Sequence, residues 1–446
     1  MPTTATKRKP VSFADDRSSK TGKVRRRVVR LSRRAPNRSS RRLIRLLIVA
    51  FIAGLMAASL AIEIMLQAIE RTPLWQVLPF VEPILGQPDP DLVYILTPRA
   101  VGIWPHENRA VVEINALGLR DSPMTLEKPS GIKRIGLLGD SVTEALQVHQ
   151  SQTFEALVEN RLRETGLNIE IANLAMSGQG PLLQLTRLKK SGWRLNLDAV
   201  VAIANATQFL SNELLDDSVF PGYVETDTGE LSIGHKFRNR RSVRYANTWF
   251  GRAFIAAYQH SILFRMLYLK SRKKPALLFS LNTATRIETP RSEQVAARSS
   301  DCVPISLRTL HALWLDREPP RNWKATRQLF DDIGAAAATH GVPVAYALRG
   351  IPLALEACEE SKTLRSETVT KFREELRRRN IAFVDWRGRV NQVLGGSPNE
   401  TQLSNLHGFG MALGRGHLNH QGHQVFAKVL AHVVSELIPS HSSANR

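Results

Sequence analysis

Downstream of Ile132 the apolar residues alternate between short solid runs and stripes at helical spacing. Ile132–Leu138 reads as a strand whose buried end is Ile135–Leu138. Phe154, Leu157, Val158 and Leu162 then share one face of a helix starting near Thr153. Ile169–Leu174 predicts a second strand, Leu182–Ser191 a helix, and Ala199–Ala204 a third, fully buried strand. From about Phe220 to Arg321 no clean period holds, and this stretch reads as an insertion. The alternation resumes at Asn322. Trp323, Leu329, Phe330 and Ile333 mark a helix, Val342–Leu348 a strand, Leu364–Arg379 a helix, Ile381–Trp386 a strand and His420–Leu437 a closing helix. Strands alternating with helices predict a parallel sheet covered on both faces. Such sheets bind ligands at the carboxyl ends of their strands.

The first part of the chain has a different pattern. Leu46–Ile62 is 17 residues without a charge, between Arg41, Arg42 and Arg45 on one side and Glu63 on the other. About 20 helical residues cross a bilayer core. Residues 43–66 are therefore expected to be a transmembrane helix, and the basic flank places residues 1–42 in the cytoplasm and the C-terminal part across the membrane. Ala57, Ala58 and Ala61 offer small residues for a signal-peptide reading, but the long basic leader and long apolar run favour an uncleaved anchor. Residues 67–130, with Pro79, Pro83, Pro88 and Pro90 and the β-type runs Leu92–Leu96 and Val111–Ile114, read as a connector with a small leading module. The main domain is expected over 131–440, with the insertion at about 220–321. Inside that insertion, Ala253–Leu269 is apolar and aromatic and is followed by Lys270, Arg272, Lys273 and Lys274. It reads either as a core helix with a solvated basic end or as an amphipathic helix on a membrane surface.

Charge changes the picture only at the start. The formal net charge is +21 over 446 residues. Residues 1–45 hold 16 Lys and Arg against Asp15 and Asp16, leaving 45 basic and 38 acidic residues for everything after them. The excess belongs to a tail expected to be disordered and to touch anionic headgroups, so no nucleic-acid partner is expected. Cys302 and Cys358 are far enough apart that pairing is neither required nor forbidden.

Candidate chemistry sits at the strand ends. Gly139-Asp140-Ser141-Val142-Thr143 follows the first strand of the alternation, so Ser141 stands on a tight turn with its hydroxyl outward. Acyl transfer needs such a nucleophile, a base and donors for the oxyanion. Gly139 relieves the turn and Asp140 can cap the next helix. Asn173-Leu174-Ala175-Met176-Ser177-Gly178-Gln179-Gly180 follows the next strand, where Gly178 can bring a backbone N–H close to a ligand. Ala204-Asn205-Ala206-Thr207-Gln208 follows the third and can add an amide. His417 opens Gly416-His417-Leu418-Asn419-His420-Gln421-Gly422-His423, just before the last helix. His417, His420 and His423 recur every third residue, but no carboxylate accompanies them and no metal is expected.

These blocks, in this order, resemble the SGNH hydrolases, also called the GDSL esterase family. The similarity runs from about Asp91 to the C-terminus apart from the insertion, and Ile114-Asn115-Ala116-Leu117-Gly118-Leu119-Arg120 looks like membrane-anchored bacterial members. The resemblance implies a flavodoxin-like three-layer α/β/α fold with a parallel central sheet. It implies Ser141 as nucleophile, Gly178 as oxyanion donor and His417 as general base, with no cofactor. Substrates would be acyl or acetyl esters, including esters on carbohydrate; an O-acyltransferase of envelope polysaccharide or a weak, glycan-binding scaffold are the other readings. The chain departs from the family twice. The third block's Asn is matched by Asn205, which keeps the amide, or by Thr207. The acid expected two or three residues before the histidine is replaced by Gly414 and Arg415. A backbone carbonyl or Asp385, at a strand end, is left to orient His417.

Overall fold

A computed structural model of the chain describes residues 38–70, 86–104, 107–209, 214–215, 220–271, 321–350, 359–396 and 398–438. The basic tail before Arg38, both cysteines and the polar stretch 282–300 lie outside the described residues. The chain divides into two units, Met1–Leu60 and Ala61–Arg446. Helix α1 (Arg38–Glu70) spans that division. Its segment Arg42–Ile69 is long and apolar enough to cross a membrane.

After the end of α1 the second unit carries two short antiparallel pairs. Strands β1 (Gly86–Asp89) and β2 (Val93–Leu96) form one; β3 (Val101–Ile103) and β4 (Val111–Glu113) form the other. The main sheet uses β5 (Lys133–Leu138), β6 (Ile169–Asn173), β7 (Ala199–Asn205), β10 (Val344–Arg349) and β11 (Ile381–Asp385). All are parallel, in the order β11-β10-β7-β5-β6. That is the doubly wound, flavodoxin-like order, and its reversal of direction falls between β5 and β7. The hairpin β8 (Gly222–Glu225) and β9 (Leu231–Gly234) lies in the insertion.

The period-2 pattern of the strands divides the core into two layers. Leu138, Ala172, Val200, Ala202, Tyr346 and Leu348 face one way. They meet α4 (Pro181–Lys190), α8 (Arg321–His340) and α9 (Glu359–Arg377) through Leu185, Phe330 and Phe372. Ile135, Leu137, Ile171, Val201, Ile203 and Ala347 face the other way. They meet α3 (Phe154–Glu164), α10 (Trp386–Val393) and, beyond the short α11 (Glu400–Ser404), α12 (His420–Leu437) through Phe154, Trp386 and Val429. Each fully buried side chain of this kind contributes roughly 2 kcal/mol, so the sheet is the rigid part of the molecule.

The insertion departs from its expected single helix. Among the described residues three helices follow the hairpin: α5 (Arg241–Ala246), α6 (Trp249–His260) and α7 (Ile262–Ser271), so Ala253–Leu269 is broken at Ser261. The break has a partner. Glu63 accepts from Ser261 Oγ at 2.8 Å, Ile262 N at 2.9 Å and Leu263 N at 3.0 Å, capping the free amides that begin α7.

Candidate active site

Ser141 opens the one-turn helix α2 (Ser141–Glu144) directly beyond the carboxyl end of β5, at the point where the strand order reverses. The turn is held from three sides. A Cβ on Gly139 would strike the side chain of Thr143, so only glycine lets α2 fold back this tightly. Asp140 accepts from Val142 N at 3.0 Å, as its capping role predicts, and also pairs with the guanidinium of Arg349 at the end of β10. Asn173 Nδ2 donates to Thr143 O at 3.1 Å and to Glu155 Oε1 at 2.9 Å, while its Oδ1 accepts from Ala175 N. The fully buried Asn173 therefore fixes both the helix that Ser141 opens and the start of the next loop.

That loop carries Gly178, whose φ of +70° is a left-handed conformation suited to glycine. Its neighbour Ser177 is tied down by the buried Glu144 carboxylate, which accepts from Ser177 N at 2.7 Å and from its hydroxyl. Burial raises the Glu144 pKa, and the Ser177 bonds and Arg187 oppose that shift. Neither the Ser141 nor the Gly178 amide has an acceptor among the described residues. Both remain available to a ligand oxygen. Asn205 is the last residue of β7, in register with Arg349. Its Oδ1 lies so close to Gly350 that a Cβ there would sit 2.6 Å away. Thr207 is two residues further on, in a short 3-10 segment over Ala206–Phe209.

His417 is the residue directly ahead of Leu418 and the cap of α12. Its carbonyl accepts from Gly408 N at 2.8 Å, and the adjacent Leu418 bridges to His407. The rest of the His-Leu-Asn motif is scaffold. Leu418 is buried, and Asn419 caps α12 by accepting from Gly422 N at 3.0 Å while donating to Asn405 O. His423 accepts from Phe154 N at 3.2 Å through Nδ1 and stacks on the Phe154 ring. Burial, then the charges of His420, Arg120 and His417, drive its pKa down to about 3, so it is a neutral acceptor. His420 instead meets the Phe409 ring edge-on, so the histidines at this spacing have separate surroundings.

The acid on His417 comes from elsewhere in the chain. Glu107 Oε1 lies 2.7 Å from His417 Nδ1, and Glu107 Oε2 accepts from His417 N at 3.2 Å. Glu107 stands between β3 and β4, 310 residues away in sequence. Gly416, with φ +87°, allows the approach, because a Cβ there would be 3.0 Å from Glu107 Oε1. Asp385 is used differently: it caps α10 through Gly388 N at 3.0 Å and pairs with Arg365 at 2.6 Å. The carboxylate on His417 Nδ1 is that of Glu107, which no local motif announces, while Asp385 is engaged by Gly388 and Arg365.

A hydrogen bond joins the serine side to the histidine side. Asn108, next to Glu107, donates to Gln147 O at 3.1 Å, just past α2. His407 contacts Gly416 O through Nδ1 at 3.2 Å; burial lowers its pKa most, the Gly416 bond raises it, and Arg349, Arg387 and His417 lower it further. Ser141 and His417 are not hydrogen-bonded to one another among the described contacts. Catalytic bonds of this kind commonly tighten only with substrate.

No family model and no curated protein matches the chain. Solved structures do. The lipase/acylhydrolase of Enterococcus faecalis is 13% identical, with 70% of this chain and 100% of that one covered and a TM-score of 0.31. LAE5, an alpha/beta hydrolase from the metagenome of Lake Arreo, is 13% identical over 68% of this chain and 96% of its own, with a TM-score of 0.34. The acetyl xylan esterase AlAXEase is 11% identical over 68% and 99%, with a TM-score of 0.32. At such scores these likenesses add nothing to the fold read from the strand order.

Proposed function

We propose that the chain is a membrane-anchored serine ester hydrolase with its sheet domain outside the cytoplasm. The observation that carries this reading is the Glu107–His417 contact. A carboxylate on Nδ1 holds the proton on that nitrogen and leaves Nε2 as the base. Ser141 Oγ attacks the ester carbonyl carbon and passes its proton to His417 Nε2. The tetrahedral oxyanion is received by the amides of Ser141 and Gly178, with Asn205 as a third donor. Collapse expels the alcohol, which takes the proton from His417. Water then repeats the sequence on the acyl-enzyme and releases the acid.

Glu107 answers one of the two grounds for an inactive scaffold, the missing local acid, and leaves the altered third block as the other. The substrate class is an acyl or acetyl ester, with carbohydrate esters included. The test is turnover of acetyl and longer acyl esters by the full chain in detergent, with fluorophosphonate labelling followed to the modified peptide. Turnover with the label on Ser141 is expected. Equal turnover by Ser141→Ala, or a label elsewhere, overturns the reading.

A further inference from the structure

The insertion carries a surface that the chemistry above leaves unused. Helix α6 opens with Trp249 and Phe250, 70% and 58% exposed, their rings stacked with centroids 3.5 Å apart. Leu267 on α7 is 60% exposed. Large side chains held out in water in this way mark an interaction site. The surrounding chain is one-sided in charge. From Leu231 to Ser271 there is no Asp or Glu, while Arg240, Arg241, Arg244 and Arg252 are exposed. Arg238, by contrast, is paired with Asp91.

The same module is fastened to the end of the long apolar helix. Glu63 caps α7, and Leu66 and Ile69 pack with Ile103, Ile262 and Met266. Within this segment Ile62, Ile64 and Met65 keep their side chains exposed. The module is therefore anchored at the point where an apolar, outward-facing helix ends. Tryptophan and phenylalanine beside a cationic surface are the residues of a bilayer interface, and exposed arginines there attract anionic headgroups.

We propose that the α5–α7 module docks on the anionic headgroup layer of the membrane that α1 enters, with Trp249 and Phe250 in the interface. This goes beyond the esterase reading and rests on α1 being a membrane helix. The probe is the full chain in nanodiscs of phosphatidylcholine with phosphatidylglycerol, made with and without brominated acyl chains. The signal is the tryptophan emission lost on changing Trp249→Phe. The expected Trp249 component is blue-shifted and quenched by the brominated lipid. Quenching should weaken in pure phosphatidylcholine and in the Arg240→Glu/Arg241→Glu/Arg244→Glu variant. A chain that enters the discs with Trp249 unquenched and at its aqueous wavelength overturns the docking while leaving the helix reading intact. So does a blue shift without quenching that grows with protein concentration, which would assign the patch to a second copy. Failure to enter the discs overturns the membrane-helix reading itself. Ester turnover is read separately in detergent, so neither result depends on it.

Discussion

The serine side and the histidine side of the site are built in opposite ways. Ser141 follows two fully buried strand residues and precedes Thr143 and Glu144, which are also buried. Its turn is fixed by Gly139, Asp140 and Asn173, all within the sheet core or its first connections. His417 and Glu107 are about one quarter exposed at their side chains, and both sit on irregular chain. Glu107 even adopts a positive φ of 66°, a conformation that costs of order 1–3 kcal/mol for a residue with a side chain. One half of the site is a rigid shelf; the other is an arm assembled from two distant loops. Segments with few buried contacts open most easily, so the arm is where activity can be tuned without unfolding the sheet.

The largest effect should come from the shelf. Ser141→Ala should lower kcat by ~10⁴-fold or more with the fold intact, since the nucleophile has no substitute. An unchanged circular dichroism melt beside that loss is the required control. Next is the arm. Glu107→Gln should lower kcat by ~10³-fold with little change in KM, because the amide no longer fixes the imidazole tautomer. Glu107→Asp should recover part of it. In the Glu107→Gln background, Arg415→Asp puts a carboxylate two residues before His417 and should also restore turnover. If Glu107→Gln keeps wild-type kcat, the arm has no catalytic acid and the contrast between the halves collapses. Asn205→Ala should cost ~10²-fold as one lost oxyanion donor. A comparable loss in Thr207→Val with none in Asn205→Ala would move the third donor to the 3-10 segment.

The same contrast explains what could be read from the sequence. The shelf is a local object. A solid apolar run, glycine, a capping carboxylate and a helical stripe occupy about 30 consecutive residues from Ile132, and strand spacing alone orders the sheet. His417 was legible because it precedes a strongly periodic helix. Glu107 was not. Its neighbourhood holds Asp89, Asp91, Glu113 and Asp121 as equally placed acids, and no period relates any of them to a histidine 310 residues on. Asp385 stands at a strand end, where functional side chains often lie, but a carboxylate there can equally cap the next helix. The broken α6–α7 pair was hidden for a related reason. Its apolar pattern continues across Ser261, and only the distant Glu63 supplies the acceptor that ends one helix and begins the other.

The seam between shelf and arm should govern stability with pH, and its two kinds of group act in opposite directions. His423, on the arm's helix, takes the amide of Phe154, which begins the helix behind the shelf. Its native pKa of about 3 is below the ordinary 6.5, so the unfolded chain gains the proton first. Its contribution is present above pH 6.5 and is lost as pH falls toward 3. Glu155 and Glu159 lie on that helix, and burial raises both from 4.5 to about 7. Raised carboxyls act the other way: their contribution is present below 4.5 and is lost as pH rises toward 7. Between 4.5 and 6.5 the two trends oppose, but two carboxyls outweigh one imidazole, so the wild type should still lose stability with rising pH there, about half as steeply as the carboxyls alone would impose. Glu159→Gln removes one carboxyl while keeping an acceptor for Ile171 N, which it now receives at 2.6 Å. Its unfolding free energy relative to wild type should therefore rise from pH 4.5 to 7, by an amount on the order of 2 kcal/mol. Urea midpoints of both proteins at the two ends of that window measure the difference. A constant offset would mean that Glu159 titrates normally and that the seam is wetter than its packing indicates.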